Sequence, residues 1–109
     1  MMKVDFEQVE GVQASKVENY RFLKEDGDWV VILARGECRN AGYNISLKKA
    51  ELDNNQLELT VKFKDPEPGM MVAMVITYPT RKYLLKLTEK PEKVIFKTVK
   101  GDILKAITN

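Results

Sequence analysis

The stretch Gln56–Lys64 alternates without a break. Leu57, Leu59, Val61 and Phe63 share one parity, and Gln56, Glu58, Thr60, Lys62 and Lys64 share the other. A period of two is the geometry of a strand, whose successive side chains point to opposite faces. The split into apolar and polar sets puts one face on a core and the other in water. A helix would scatter the same four apolar residues around its circumference. Ahead of this strand, Asp53-Asn54-Asn55 supplies turn chemistry, and Tyr43, Ile45 and Leu47 alternate before it. The pair therefore reads as an antiparallel hairpin. The alternation slips near Lys49-Ala50, where Leu52 takes up the other parity. One inserted residue, a β-bulge, accounts for the slip.

Two segments are apolar on both parities. Trp29–Ala34 follows the turn Glu25-Asp26-Gly27-Asp28, and Met71–Ile76 follows Asp65-Pro66-Glu67-Pro68-Gly69. Both read as central strands covered on both faces. The cover would come from the N-terminal segment, the C-terminal hairpin or a second subunit. Weaker strands are expected at Val4–Val9, Val17–Lys24, Lys82–Leu87 and Val94–Val99, and the tail Ile103–Ile107 reads as a last strand in preference to one helical turn. Pro79 and Pro91 bracket the third of these, because proline cannot donate to a ladder. About eight short strands with turn signals every 8–12 residues make an all-β fold. The expected architecture is a mostly antiparallel β-sandwich or partly open barrel, immunoglobulin-like in general outline. It fills a single domain over residues 1–109, long enough to bury one core.

Composition narrows the chemistry. Histidine is absent and Cys38 is the lone cysteine. Ser-His-Asp and Cys-His catalysis, histidine-ligated zinc and an internal disulfide are therefore excluded. The chain has no glycine-rich phosphate loop and no nucleophile elbow. Flanking arginines are one route to a reactive thiolate at Cys38. With no second cysteine beside it, the residue reads as an incidental thiol. The acidic turns Asp26-Gly27-Asp28 and Asp65-Pro66-Glu67 are too short for calcium, which needs six or more oxygens, and read as turn formers. The expectation is a protein that is not an enzyme and carries no cofactor or metal.

Net charge is +2, with 10 basic and 13 acidic residues in 1–78 against 8 basic and 3 acidic in 79–109. A basic third can attract nucleic acid. Here the lysines are strung along strands, as at Lys82, Lys86, Lys93 and Lys97, where they keep edges soluble. Trp29, Tyr43, Phe63, Tyr78, Tyr83 and Phe96 sit in apolar alternation as core candidates, and Tyr20 and Phe22 share one strand face. No basic-aromatic platform emerges, so nucleic acid is not the expected partner. No apolar run approaches the ~20 residues of a membrane span. Met1-Met2-Lys3-Val4-Asp5 lacks the apolar stretch of a secretory signal. The sequence as given reads as cytoplasmic, or as exported to the cell envelope where a signal has been removed.

From about Val31 to Leu87 the chain resembles the bacterial PrcB C-terminal domain family. The likeness rests on Gly36-Glu37, on Gly42-Tyr43 with Ile45, on Val61-Lys62-Phe63-Lys64-Asp65-Pro66-Glu67-Pro68-Gly69, and on Thr77-Tyr78-Pro79. Where the family usually has a Pro-Thr-Gly-like stretch, this chain has Arg39-Asn40-Ala41. The resemblance implies a small all-β domain without catalytic residues, whose namesake accompanies a subtilisin-like protease. The stretch Asn40-Ala41-Gly42-Tyr43 also looks like a loop of chagasin-type protease inhibitors, which are immunoglobulin-like sandwiches. Two other loop signatures of that family, a Gly-rich segment and an Arg-Pro-Trp, are missing.

The expected function is a protein-binding module, associated with or modulating a protease. The candidate contact is the loop Gly36, Glu37, Cys38, Arg39, Asn40, Ala41, Gly42 and Tyr43, with Asp65–Met71 as a neighbour. In the structural reading of the same loop, Gly36 and Gly42 take positive φ at a sharp corner and Tyr43 anchors it in the core. Two alternatives are a homodimer through the apolar strand Met71–Ile76 and a barrel that holds a small ligand.

Overall fold

The computed structural model describes residues 2–108. Its nine strands are β1 (Met2–Lys3), β2 (Phe6–Val9), β3 (Asn19–Glu25), β4 (Asp28–Ala34), β5 (Asn44–Asp53), β6 (Gln56–Lys64), β7 (Thr80–Leu85), β8 (Lys93–Thr98) and β9 (Ile103–Thr108). They form two sheets, ordered β1-β5-β6-β8-β9 and β2-β7-β4-β3, with no helix among the described residues. Every pairing is antiparallel except β6–β8. The sheets face each other as a sandwich and do not close into a barrel.

The alternating hairpin forms as its pattern dictates. Asn54 and Asn55 both adopt positive φ, 48° and 64°. Asparagine tolerates that region better than other non-glycine residues, which makes the two-residue turn whose twist suits a hairpin. Register shifts between Leu47 and Lys49, so Lys48 is the extra residue and projects into solvent. A bulge frees main-chain groups, and here the Leu47 amide donates to the Tyr83 hydroxyl of the opposite sheet at 3.1 Å.

The inward parity of both sheets makes the core. Leu57, Leu59 and Val61 from β6 meet Val31 and Leu33 from β4, Tyr83 and Leu85 from β7, and Val94 and Phe96 from β8. Each buried aliphatic side chain stabilises the fold by ~1.5–3 kcal/mol through removal from water. These side chains occupy the space between the sheets, where a ligand-binding barrel would need a roomy cavity. Phe96 and Tyr83 are core as expected, whereas Trp29 and Phe63 are half-buried at its margin. Tyr43 and Tyr78 lie outside the core. The segment Val4–Val9 is split: Val4 and Asp5 pass from one sheet to the other, and the amides of Val4 and Lys86 donate to the carbonyls of Ala50 and Asp5.

The outer face of β4 is covered from within its own sheet. Val30 is flanked by Leu23 of β3 and Leu84 of β7 in register. Lys82 of β7 reaches Glu25 of β3 at 2.5 Å, which carries its aliphatic stem across β4 above Val30. A long charged side chain can cover apolar surface in this way while its head stays wet. Val30 is thereby 2% exposed within the single chain. Three further lysines of the C-terminal third have partners: Lys86 pairs with Glu7, Lys97 with Glu58, and Lys105 donates to the Tyr20 carbonyl. Part of the charge asymmetry is thus paired across the fold, through Lys82, Lys86 and Lys97.

Met71–Ile76 is not a strand. It is irregular, and its side chains other than Val72 are exposed, with Met71 at 98% and Met74 at 78%. The central positions are already filled: β6 has β5 on one side and β8 on the other, and β4 has β3 and β7. The chain leaving β6 crosses to the opposite sheet as β7, then returns so that β8 lies parallel to β6. Pro66, Pro68 and Gly69 hold the intervening segment out as a loop.

This topology sorts the connections. The links β2–β3, β4–β5, β6–β7 and β8–β9 emerge at one end of the sandwich. The turns Asp26-Gly27, Asn54-Asn55 and the link 86–92 emerge at the other.

Candidate interaction loops at one end of the sandwich

The link between β4 and β5 begins at Arg35, whose side chain is mostly buried. One guanidinium nitrogen donates to the carbonyls of Asn44 at 3.0 Å and Lys64 at 2.8 Å, and another donates to Asp65. The guanidinium also stacks over Tyr43 at 4.9 Å and Phe63 at 5.4 Å. Arginine's planar fork can satisfy all of these at once. Arg35 thereby clamps the ends of β4, β5 and β6, and Asp65 is committed to it.

Gly36 has φ +91°, and a Cβ there would lie 2.9 Å from the Glu18 amide nitrogen. Both its conformation and its space require glycine. Gly42 departs from expectation, because its φ is not positive. It is glycine for lack of room: a Cβ would lie 2.6 Å from Cβ of Pro66 and 2.9 Å from Cγ1 of Val72. Tyr43 is likewise not a core anchor. It is half-buried, between Arg35 and the Arg39 guanidinium at 5.9 Å.

The rest of the loop divides by role. Cys38 and Asn40 are buried. Cys38 exchanges both main-chain bonds with Thr77, and its Sγ lies 3.7 Å from the Gly36 carbonyl. Since Arg35 is occupied elsewhere and the thiol is covered, the environment is that of a small packed side chain. The Asn40 side-chain oxygen accepts from the Gly42 amide at 2.8 Å, while its carbonyl accepts from the Thr77 hydroxyl at 3.0 Å. The Ala41 amide donates to the Ala73 carbonyl. Glu37, Arg39 and Ala41 are exposed. Of the eight residues proposed from sequence, these three and Tyr43 can meet a partner; the other four build the loop.

The Asp65–Met71 turn is brought against this loop, as expected from sequence, through Arg35–Asp65 and Pro66–Gly42. The structure adds Met74, Val75 and Ile76 beyond it. Arg35, Glu37, Cys38, Arg39, Tyr43 and Ile76 line a cavity of about 540 Å³. Tyr43 also borders a smaller one of about 270 Å³, with Val12, Tyr78 and Arg81 among its walls. Nine large apolar side chains are exposed among the described residues, and all but Met2 lie at this end: Val17, Met70, Met71, Met74, Val75, Ile76, Val99 and Ile103.

A family model, the PrcB C-terminal, matches residues 29–82. Over those residues the chain belongs to the PrcB C-terminal family. The match runs from Trp29 in β4 to Lys82 in β7 and so contains both packed loops and the strands that hold them. The PrcB C-terminal match leaves β1 to β3, β8 and β9 outside it. No curated protein and no solved structure matches the chain. The loop was legible in the sequence but its apolar neighbour was not, because an apolar run has the same composition in a strand and in an exposed loop. The Pro66-Glu67-Pro68-Gly69 stretch was the signal against a strand starting close behind it.

Proposed function

We infer that the chain is a protein-binding module without enzymatic activity, and that it binds through the end where the two loops pack. The observation that carries this is the segregation of exposed apolar side chains. Scattered surface apolar residues need no explanation, but a collection at one end of a small domain marks an interaction site. The loops are held by Arg35, the Cys38–Thr77 bridge and the Ala41–Ala73 bond. A surface ordered before contact loses less entropy on binding. The PrcB C-terminal family is named for a protease-complex subunit, which supports a peptidase, with a subtilisin-like protease as the first partner to test.

The test is capture from native cells on the full chain, with bound proteins identified by mass spectrometry. A peptidase should be enriched at least tenfold over capture on an Arg39→Glu, Ile76→Asp double variant. Both side chains are exposed, so the variant should keep its fold. Capture of no peptidase, or equal capture by the variant, would overturn the reading.

A further inference from the structure

From Met70 to Tyr78 the sequence Met-Met-Val-Ala-Met-Val-Ile-Thr-Tyr contains no charge, glycine or proline. It has the side chains of a covered strand but lies at the surface. One side of it is tied down: the Ala73 carbonyl accepts from Ala41, and Thr77 exchanges bonds with Cys38. None of the six amides from Met71 to Ile76 donates a hydrogen bond within the described chain. Main-chain groups alternate in direction along a strand. With Ala73 and Thr77 bonded to the neighbouring loop, the alternate positions Val72, Met74 and Ile76 are those whose amides would serve a further strand once the segment is drawn out beside it.

An open row of amides beside apolar side chains is a template for another strand. A bilayer would accept the side chains but offers the amides no partner. We propose that this segment is a self-complementary edge, and that a second copy of this chain pairs with it, antiparallel about a two-fold axis. The absence of charge means that like meets like without repulsion, and uncharged segments of high β-propensity are those that pair with their own copies. A two-fold contact also closes at two chains, leaving no free edge to propagate. The symmetry centres the register on Met74, with Val72 opposite Ile76 of the second copy. This pairing draws on the same exposed segment as the peptidase reading, Ile76 included, but it is read on the chain alone with no peptidase present, so the two can fail separately.

Sedimentation and amide exchange measured on the full chain at about 5 and about 500 µM decide it, since a dimer of ~10 µM Kd would be mostly formed at the higher concentration. The expected result is a dimer in which exchange at Val72, Met74 and Ile76 slows at least tenfold. Met74→Pro removes the central amide, breaks no internal hydrogen bond and should be monomeric at both concentrations. Met74→Leu retains the amide and should dimerise. A monomer at 500 µM would overturn the proposal. So would a dimer insensitive to Met74→Pro, or one whose slowed amides lie on the edges β3 or β9. The wild-type exchange pattern is decisive by itself, even should the proline variant not fold.

Discussion

At the scale of single residues, two tyrosines reach polar partners from inside the sandwich. The Tyr83 hydroxyl accepts the Leu47 amide that the bulge at Lys48 sets free. Tyr83→Phe preserves the ring and its edge-on contact with Phe6 at 5.7 Å, so it isolates the hydroxyl. A buried amide left without a partner costs ~1–3 kcal/mol, and urea unfolding should show a loss of that order with an unchanged slope. Tyr20 is buried, and its hydroxyl donates to Glu18. Burial first, then the hydrogen bond and negative charge of Glu18, push its ionisation well above the usual tyrosine range, with Arg35 opposing. The sign follows from linkage. The folded value is raised, so the stabilisation is complete below the unfolded tyrosine value of about 10 and is lost as pH rises through the folded one. Thermal melts from pH 8 to 12 should show Tm falling above pH ~10, and Tyr20→Phe should flatten that decline. The partner of Tyr83 was not visible in the sequence, because Leu47 and Tyr83 are distant along the chain and meet only across the sheets.

Among elements, the β5–β6 hairpin was legible down to its bulge, since alternation and Asx turn chemistry are local. The loop Gly36–Tyr43 was legible as a link between two strands, but Gly42 was misread. Its glycine answers to Pro66 and Val72, residues of another loop, and no local conformational rule announces such a contact. Gly42→Ala should force the two loops apart by several tenths of an ångström or more. Overpacking of this kind costs ~1–3 kcal/mol, measurable by thermal unfolding, and should weaken partner capture beyond the loss of stability. Arg35→Lys offers one ammonium where a fork meets two carbonyls and Asp65. A loss of ~1–3 kcal/mol in urea unfolding is expected, with Tyr43 becoming more exposed to solvent quenchers.

For the molecule as a whole, the contrast lies between its two ends. One carries short turns such as Asp26-Gly27 and Asn54-Asn55, and the other carries eight of the nine exposed large apolar side chains among the described residues. If the apolar end serves contact rather than folding, replacing Met71 and Met74 by serine should change stability by no more than ~0.5 kcal/mol. The same change should reduce the binding of an apolar fluorescent dye. A large loss of stability would show instead that these side chains pack in the isolated chain. The sequence by itself determined the all-β class, the hairpin and its bulge, the inward parity of the core and the lack of histidine chemistry. Each of these is read from spacing along the chain or from composition. Only the tertiary structure decided that β8 fills the place beside β6 in parallel, so that Met71–Ile76, patterned like a central strand, is left without a sheet. An apolar run records a preference for cover, and which segments obtain it depends on the order in which distant strands pair.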